Sequence, residues 1–107
     1  MVQGDDWQNQ VTWQINGAPV DLTNATVELR IKASHAKASK VLLTLDNMGN
    51  GGITVSTPLS GVADVEITKV QSALLPAGTW AKEWAYILAN GERKTRIQGY
   101  FVIKAGG

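Results

Sequence analysis

A two-sheet antiparallel β-sandwich is the fold class this sequence predicts, with a partly open barrel as the alternative. Three observations predict it. Short runs alternate apolar and polar residues, turn signals recur about every 8–12 residues, and 107 residues hold one helical signal. About seven or eight short strands are expected on that pattern.

From Trp7 to Ile15 the apolar residues Trp7, Val11, Trp13 and Ile15 are separated by glutamines and Thr12, with Asn9 breaking the alternation. In "TVELRIK", Val27, Leu29 and Ile31 take one face and Thr26, Glu28, Arg30 and Lys32 the other, as in a strand with one solvated side. Between these runs, Asn16-Gly17 supplies the positive φ angles of a tight turn. Pro19 stops regular pairing, Thr23-Asn24 offers oxygens to nearby backbone N–H groups, and Val20 and Leu22 can reach the core. "ASHAKASK" has no period and reads as a loop. Val41, Leu43 and Leu45 resume alternation before "DNMGNGG" ends it, and "ITVS" and "GVADVEI" follow as strands. In "TKVQSALLPAG", Thr68 and Gln71 have capping-box spacing and Pro76 and Gly78 bound a helix of one or two turns, expected to plug one end of the core.

The last third carries a register. Asn90-Gly91 fits a two-residue hairpin turn, which pairs Trp84 with Ile97, Trp80 with Phe101 and Tyr86 with Thr95 and makes one side an aromatic core. The other side then pairs Ala81 with Tyr100, Thr79 with Val102, Ala85 with Arg96 and Ile87 with Lys94. That outer side is less polar than an ordinary solvated face. Lys82 points inward opposite Gly99, either with its stem running over the glycine or because a bulge switches the faces. Trp13, Trp80, Trp84 and Phe101 are the expected core anchors.

Composition narrows the function. The length suits a single domain, residues 1–107. Ten Lys+Arg against nine Asp+Glu leave a net charge of +1, no basis for drawing nucleic acid or an anionic membrane. Without cysteine there is no disulfide framework and no thiolate metal site. No stretch approaches the roughly 18 apolar residues of a membrane span, and "MVQGDD" does not open a secretory signal. A soluble chain is the expectation.

No catalytic constellation stands out. His35 lies in a loop with no acid near it in sequence, which is the pattern of an exposed loop histidine. Asp46, Asn47 and Asn50 resemble an oxygen-rich cation loop but lack further acidic ligands, so a plain turn is expected, with no metal and no cofactor. Asp5 and Asp6 read as a solvated pair. Arg93 falls on the opposite face from Lys94 and Arg96, so "ERKTR" makes no phosphate groove. Two features point to binding. The outward set Ala81, Ala85, Ile87, Tyr100 and Val102 forms a candidate protein interface beside an open sheet edge. Trp7, near the terminus, is a candidate platform for stacking a sugar, although a tryptophan closing the end of the core fits the same position.

The segments "NGAPVDLTNATVELRIK", "GGITVSTPLSGVADVEIT", "SALLPAGTW" and "RIQGYFVI" together resemble, in that order, the small immunoglobulin-like domain of tailed-bacteriophage tail and baseplate proteins, as at the N-terminus of the baseplate upper protein family. The likeness runs from about Gly4 to Ile103. Its marks are Pro19 to Thr23 before Val27, Leu29 and Ile31, then Leu75 to Thr79 before Trp80, and Gly99 before the last strand. The resemblance implies an immunoglobulin-like fold and a non-enzymatic virion part that joins tail, baseplate or fibre components. Its partners would be other phage virion proteins and copies of itself, with no nucleic acid and no membrane, and it would be assembled in the cytoplasm of the host bacterium. Because no receptor-binding or fibre segment follows Gly107 here, a capsid-decoration or neck accessory role is an alternative, as is a carbohydrate-binding sandwich module that recognises the host surface.

Overall fold

Two antiparallel sheets, of three and four strands, carry the chain in the computed structural model, which describes residues 1–36 and 39–106, and the side chains of all of these but 95–98. The first sheet has the order β1-β7-β6, formed by Trp7–Thr12, Val62–Ile67 and Ile53–Thr57. The second has the order β5-β4-β8-β9, formed by Val41–Asp46, Thr26–Lys32, Gly78–Ile87 and Arg93–Ile103. A two-stranded corner, β2 (Gln14–Ile15) and β3 (Ala18–Pro19), carries the chain from one sheet to the other. The architecture is an all-β, immunoglobulin-like antiparallel sandwich. Four strands face three, with β4 in the same sheet as β5, β8 and β9; antibody constant domains place their second strand in the other sheet.

The alternation in the sequence becomes the core because successive side chains of a strand point to opposite faces. Val27, Leu29 and Ile31 of β4 and Trp84 and Tyr86 of β8 meet Ala63, Val65 and Ile67 of β7. Trp13, between β1 and β2, joins them edge-on, its ring 5.8 Å from Trp84 and 5.5 Å from Tyr86. Trp80 sits at the margin, half-buried, with its indole N–H donating to the carbonyl of Pro76 at 2.9 Å. The expected anchors Trp13, Trp84 and Phe101 are buried, and Tyr86 takes the depth expected of Trp80.

The corner after Trp13 is built as expected and packs tightly. Asn16 and Gly17 have φ of +52° and +80°, and Val20 and Leu22 are buried. The accepting side chain is Asp21 rather than Thr23 or Asn24: its Oδ1 takes the Thr23 N–H at 2.9 Å and the Thr23 hydroxyl at 2.5 Å. Gly61 closes the corner from below with φ +69°. A Cβ there would lie 2.5 Å from the Trp13 carbonyl oxygen and 2.9 Å from that of Val20, so only glycine fits.

Helix α1 (Lys69–Leu74) has the predicted capping box, with the Gln71 N–H donating to Thr68 Oγ1 at 3.2 Å and the Thr68 N–H to Gln71 Oε1 at 3.0 Å. It covers the core end through Ser72 and Leu75, while Val70 and Leu74 point to solvent. Buried Ser72 also stitches in the N-terminal segment, accepting from the Gly4 N–H and donating to the Asp5 carbonyl. Asp6, expected to be solvated, accepts the Lys69 N–H at 2.7 Å and so satisfies a free donor of the helix. Residues 1–3 then run beside the end of β9, where the Met1 amino group donates to the Val102 carbonyl.

The terminal hairpin departs from the predicted turn. The Gly91 N–H donates to the Leu88 carbonyl and the Leu88 N–H to the Glu92 carbonyl, which makes a three-residue loop closed by Gly91 at φ +88°. The two-residue turn is therefore corrected, and near the loop the partners are Tyr86 with Lys94 and Ile87 with Arg93. A bulge between Trp84 and Ala85 then restores the predicted pairs, Trp84 with Ile97, Ala81 with Tyr100 and Trp80 with Phe101. Lys82 stays opposite Gly99, where a Cβ would meet its Cε at 3.9 Å, so the stem runs over the glycine and no switch of faces occurs there.

Candidate functional site

The outer face of the four-stranded sheet is built from charged residues lying across small ones. On β4, Glu28, Arg30 and Lys32 stand opposite Ala85, Glu83 and Ala81 of β8. Alanine leaves the surface beside a long side chain empty, and the neighbours fold over it. Lys32 Nζ reaches Glu83 Oε1 at 3.2 Å and the Ala36 carbonyl at 3.1 Å, with side chains of Lys32 and Glu83 only 6% and 15% exposed. Glu28 lies between two guanidinia, Arg30 at 3.4 Å and Arg93 from β9. The carboxylates lie low and the guanidinia ride above them, 39% and 42% exposed against 11% for Glu28.

The loop after β4 closes one end of this face. It brings His35 Nδ1 to 3.5 Å from Glu83 Oε2 and its ring to 5.5 Å from that of Tyr100. The acid that sequence proximity does not supply to His35 comes from a strand 48 residues away, across the sheet.

The predicted interface set is thereby divided. Tyr100 and Val102 are 72% and 50% exposed, Ile87 is half-buried, and Ala81 and Ala85 are buried. The two alanines do face outward, but Lys32 and Glu28 on the adjacent strand lie over them, so they floor the face and are not available to a partner. The expectation of an open, solvated β4 face is corrected for the same reason, since Glu28 and Lys32 are buried. Trp7 is half-buried against the core with its ring edge-on to Phe101 at 5.0 Å. None of the four tryptophans is exposed.

The outer face of the other sheet has a different chemistry. Gln8 and Gln10 of β1 pair across to Glu66 and Asp64 of β7, with the Gln10 amide donating to Asp64 at 2.8 Å. Hydrogen bonds from the side chains of Gln10 and Ser56 hold the Asp64 carboxyl below the usual carboxylate range. Between these residues and Thr54 lies an open depression of about 490 Å³.

The cation-like loop is consumed internally. Asp46 accepts from the N–H groups of Met48 and Asn50 and from the Asn50 amide, while Asn47 bonds the backbone of Val27 and Ala25. Among the described residues no group of three or more His, Asp or Glu could hold a metal ion, and no helix is long and apolar enough to cross a membrane.

No family model matches the sequence, and no curated protein matches it. Among solved structures, murine CRIg is similar at 15% identity and a TM-score of 0.45, over 100% of this chain and 90% of that one. At that score the likeness carries no functional information.

Proposed function

We propose that this chain is a non-enzymatic structural protein of a tailed-phage or prophage particle, a tail, baseplate or fibre attachment or accessory module that works through protein–protein contacts. The carrying observation is the exposed Tyr100, with Val102, on a sheet face made rigid by the Lys32–Glu83 and Glu28–Arg93 ion pairs. Exposed aromatic residues are among those that contribute most to protein interfaces, and a side chain on a paired strand loses little freedom on docking. The ordered likeness of four sequence segments to phage tail and baseplate domains supplies the setting. Its partners are then other virion proteins and copies of itself, met in the cytoplasm of the host bacterium.

The test is Tyr100→Glu introduced into the phage or prophage genome. The purified variant keeps its stability within about 0.5 kcal/mol, as expected of an exposed side chain. Particles made with it lack the protein by mass spectrometry. Normal incorporation of the variant would remove this face from the assembly. Imaging a labelled copy in the wild-type particle separates a tail or baseplate position from a neck or capsid-decoration one. The carbohydrate reading is the alternative; Trp7, its candidate platform, is half-buried and edge-on to Phe101, and loss of glycan-array binding on Trp7→Ala would support it.

A further inference from the structure

The outer face of the three-stranded sheet is a hydrogen-bonding surface that docking through Tyr100 leaves unused. Cross-strand pairing places Gln10, Asp64 and Thr54 in one row and Gln8 and Glu66 in the next. The second row ends at Gly52, whose carbonyl takes the Glu66 N–H at 2.8 Å and which adds no side chain. The open depression of about 490 Å³ lies among these residues, a size usual for ligand sites. Its glutamine amides and threonine hydroxyl both donate and accept, while its carboxylates only accept. The Gln10 amide reaches Asp64 at 2.8 Å and the Gln8 amide reaches Glu66 at 3.4 Å, which orients each carboxylate and leaves it further acceptor positions.

The lining selects its ligand by what it lacks as well. Strands β1, β6 and β7 contain no lysine or arginine, and none of the exposed large apolar side chains lies in the depression. An anion would meet two carboxylates with no cation to offset them, and an apolar ligand would find little surface to cover. A lone cation would engage the carboxylates and leave the amides and the hydroxyl without a role. A sugar ring uses all five side chains, because its hydroxyls donate to carboxylates and accept from amides at once.

We infer that this depression binds a neutral saccharide, its hydroxyls donating to Asp64 and Glu66 and accepting from Gln8, Gln10 and Thr54. The site does not involve Trp7, whose side chain turns inward from the same strand, and it lies on the opposite side of the sandwich from Tyr100. It is therefore independent of the assembly reading, and a copy docked through Tyr100 keeps this face free. Binding at one open site is weak, since water competes for every hydrogen bond, and copies gathered on one surface add by avidity.

The test applies the purified chain, clustered on streptavidin, to an array of neutral, sialylated and sulfated oligosaccharides. Neutral glycans are expected to bind and the anionic ones to be excluded. The strongest neutral binder of the array is then titrated by calorimetry. Asp64→Ala and Gln10→Ala, each checked for folding by circular dichroism, are expected to weaken it by about ten-fold or more, and Tyr100→Glu to leave it unchanged. An array with no neutral saccharide bound overturns the inference. So does binding that survives Asp64→Ala and Gln10→Ala and is lost in Trp7→Ala, which moves the site to the tryptophan. Binding of an oligolysine peptide without any sugar also overturns it and makes the face a seat for a basic protein segment. Sugar binding of the expected pattern together with normal Tyr100→Glu particles supports the site and counts against the assembly reading alone.

Discussion

Removing Glu83 should cost far more than its place on a sheet surface suggests. Its carboxylate lies 3.2 Å from Lys32 Nζ, and the two side chains are 15% and 6% exposed. At an effective dielectric of about 20, opposite unit charges at that distance attract by about 5 kcal/mol, most of it offset by the cost of taking both out of water. In Glu83→Gln the desolvation of Lys32 remains and the attraction does not, leaving the ammonium with the Ala36 carbonyl. The expected loss is about 3 kcal/mol, the range in which stripping one partner from a buried pair falls. Lys32→Met combined with Glu83→Leu removes both charges and keeps the volume, and should return to within about 1 kcal/mol of the wild type. Urea unfolding followed by tryptophan fluorescence, for the wild type, Lys32→Met, Glu83→Leu and the double, gives the coupling energy. Repeating it at high salt should leave that energy nearly unchanged, since a covered pair is little screened. A Glu83→Gln loss under about 0.5 kcal/mol, or singles that simply add, would mean that the pair behaves as an exposed one.

Three glycines separate backbone conformation from crowding. Gly61→Ala should lose about 3 kcal/mol or more, because a left-handed φ is joined by contacts with the Trp13 and Val20 carbonyls, whereas Gly17→Ala, at φ +80° with nothing near, should lose only about 1–2 kcal/mol. Equal losses by chemical denaturation would remove the crowding argument. Gly99→Ala, which has no positive φ and meets Lys82 Cε at 3.9 Å, should be tolerated within about 1 kcal/mol; a larger loss would show that the lysine stem cannot adjust. Burial pushes the Asp46 carboxyl up, but hydrogen bonds from Met48, Asn50 and Gly51 outweigh it and the net direction is down. Its folded pKa therefore lies below the unfolded one, so its contribution is present above about pH 4 and is lost as pH falls through the folded value. Melting temperature against pH should fall less steeply below about pH 4 for Asp46→Asn, and an unchanged slope would oppose the assignment.

The elements were legible where one local rule decides them. Alternation placed β4 and β7, the spacing of Thr68 and Gln71 placed the helix start, and Asn16-Gly17 placed the corner turn, because each signal lies within a few residues of what it specifies. The hairpin was half legible. Asn90-Gly91 marks a turn but does not fix its length, and the outer pairs came out as expected because the longer loop and the bulge displace the register by one residue each in opposite senses. The face that carries the candidate site was the least legible. Whether Glu28 is a solvated or a covered acid depends on Arg93, and whether Ala81 is a contact or a floor depends on Lys32. Both depend on β4 lying beside β8, a pairing of strands about 50 residues apart that no turn encodes.

The bulge beside Trp84 also bears on how such a domain can change length over generations. Loss of one residue from inside a strand ordinarily turns every later side chain to the wrong face and ends the lineage. At this bulge Arg96 is the residue without a partner, lying between Thr95, opposite Ala85, and Ile97, opposite Trp84. Its deletion would leave an unbroken ladder with Phe101 and Ile103 still facing inward and Tyr100 and Val102 still facing out. The edge strand thus holds one point where a codon can be lost or regained without inverting the sheet, and homologues differing by a single residue there would keep both the core and the outward face.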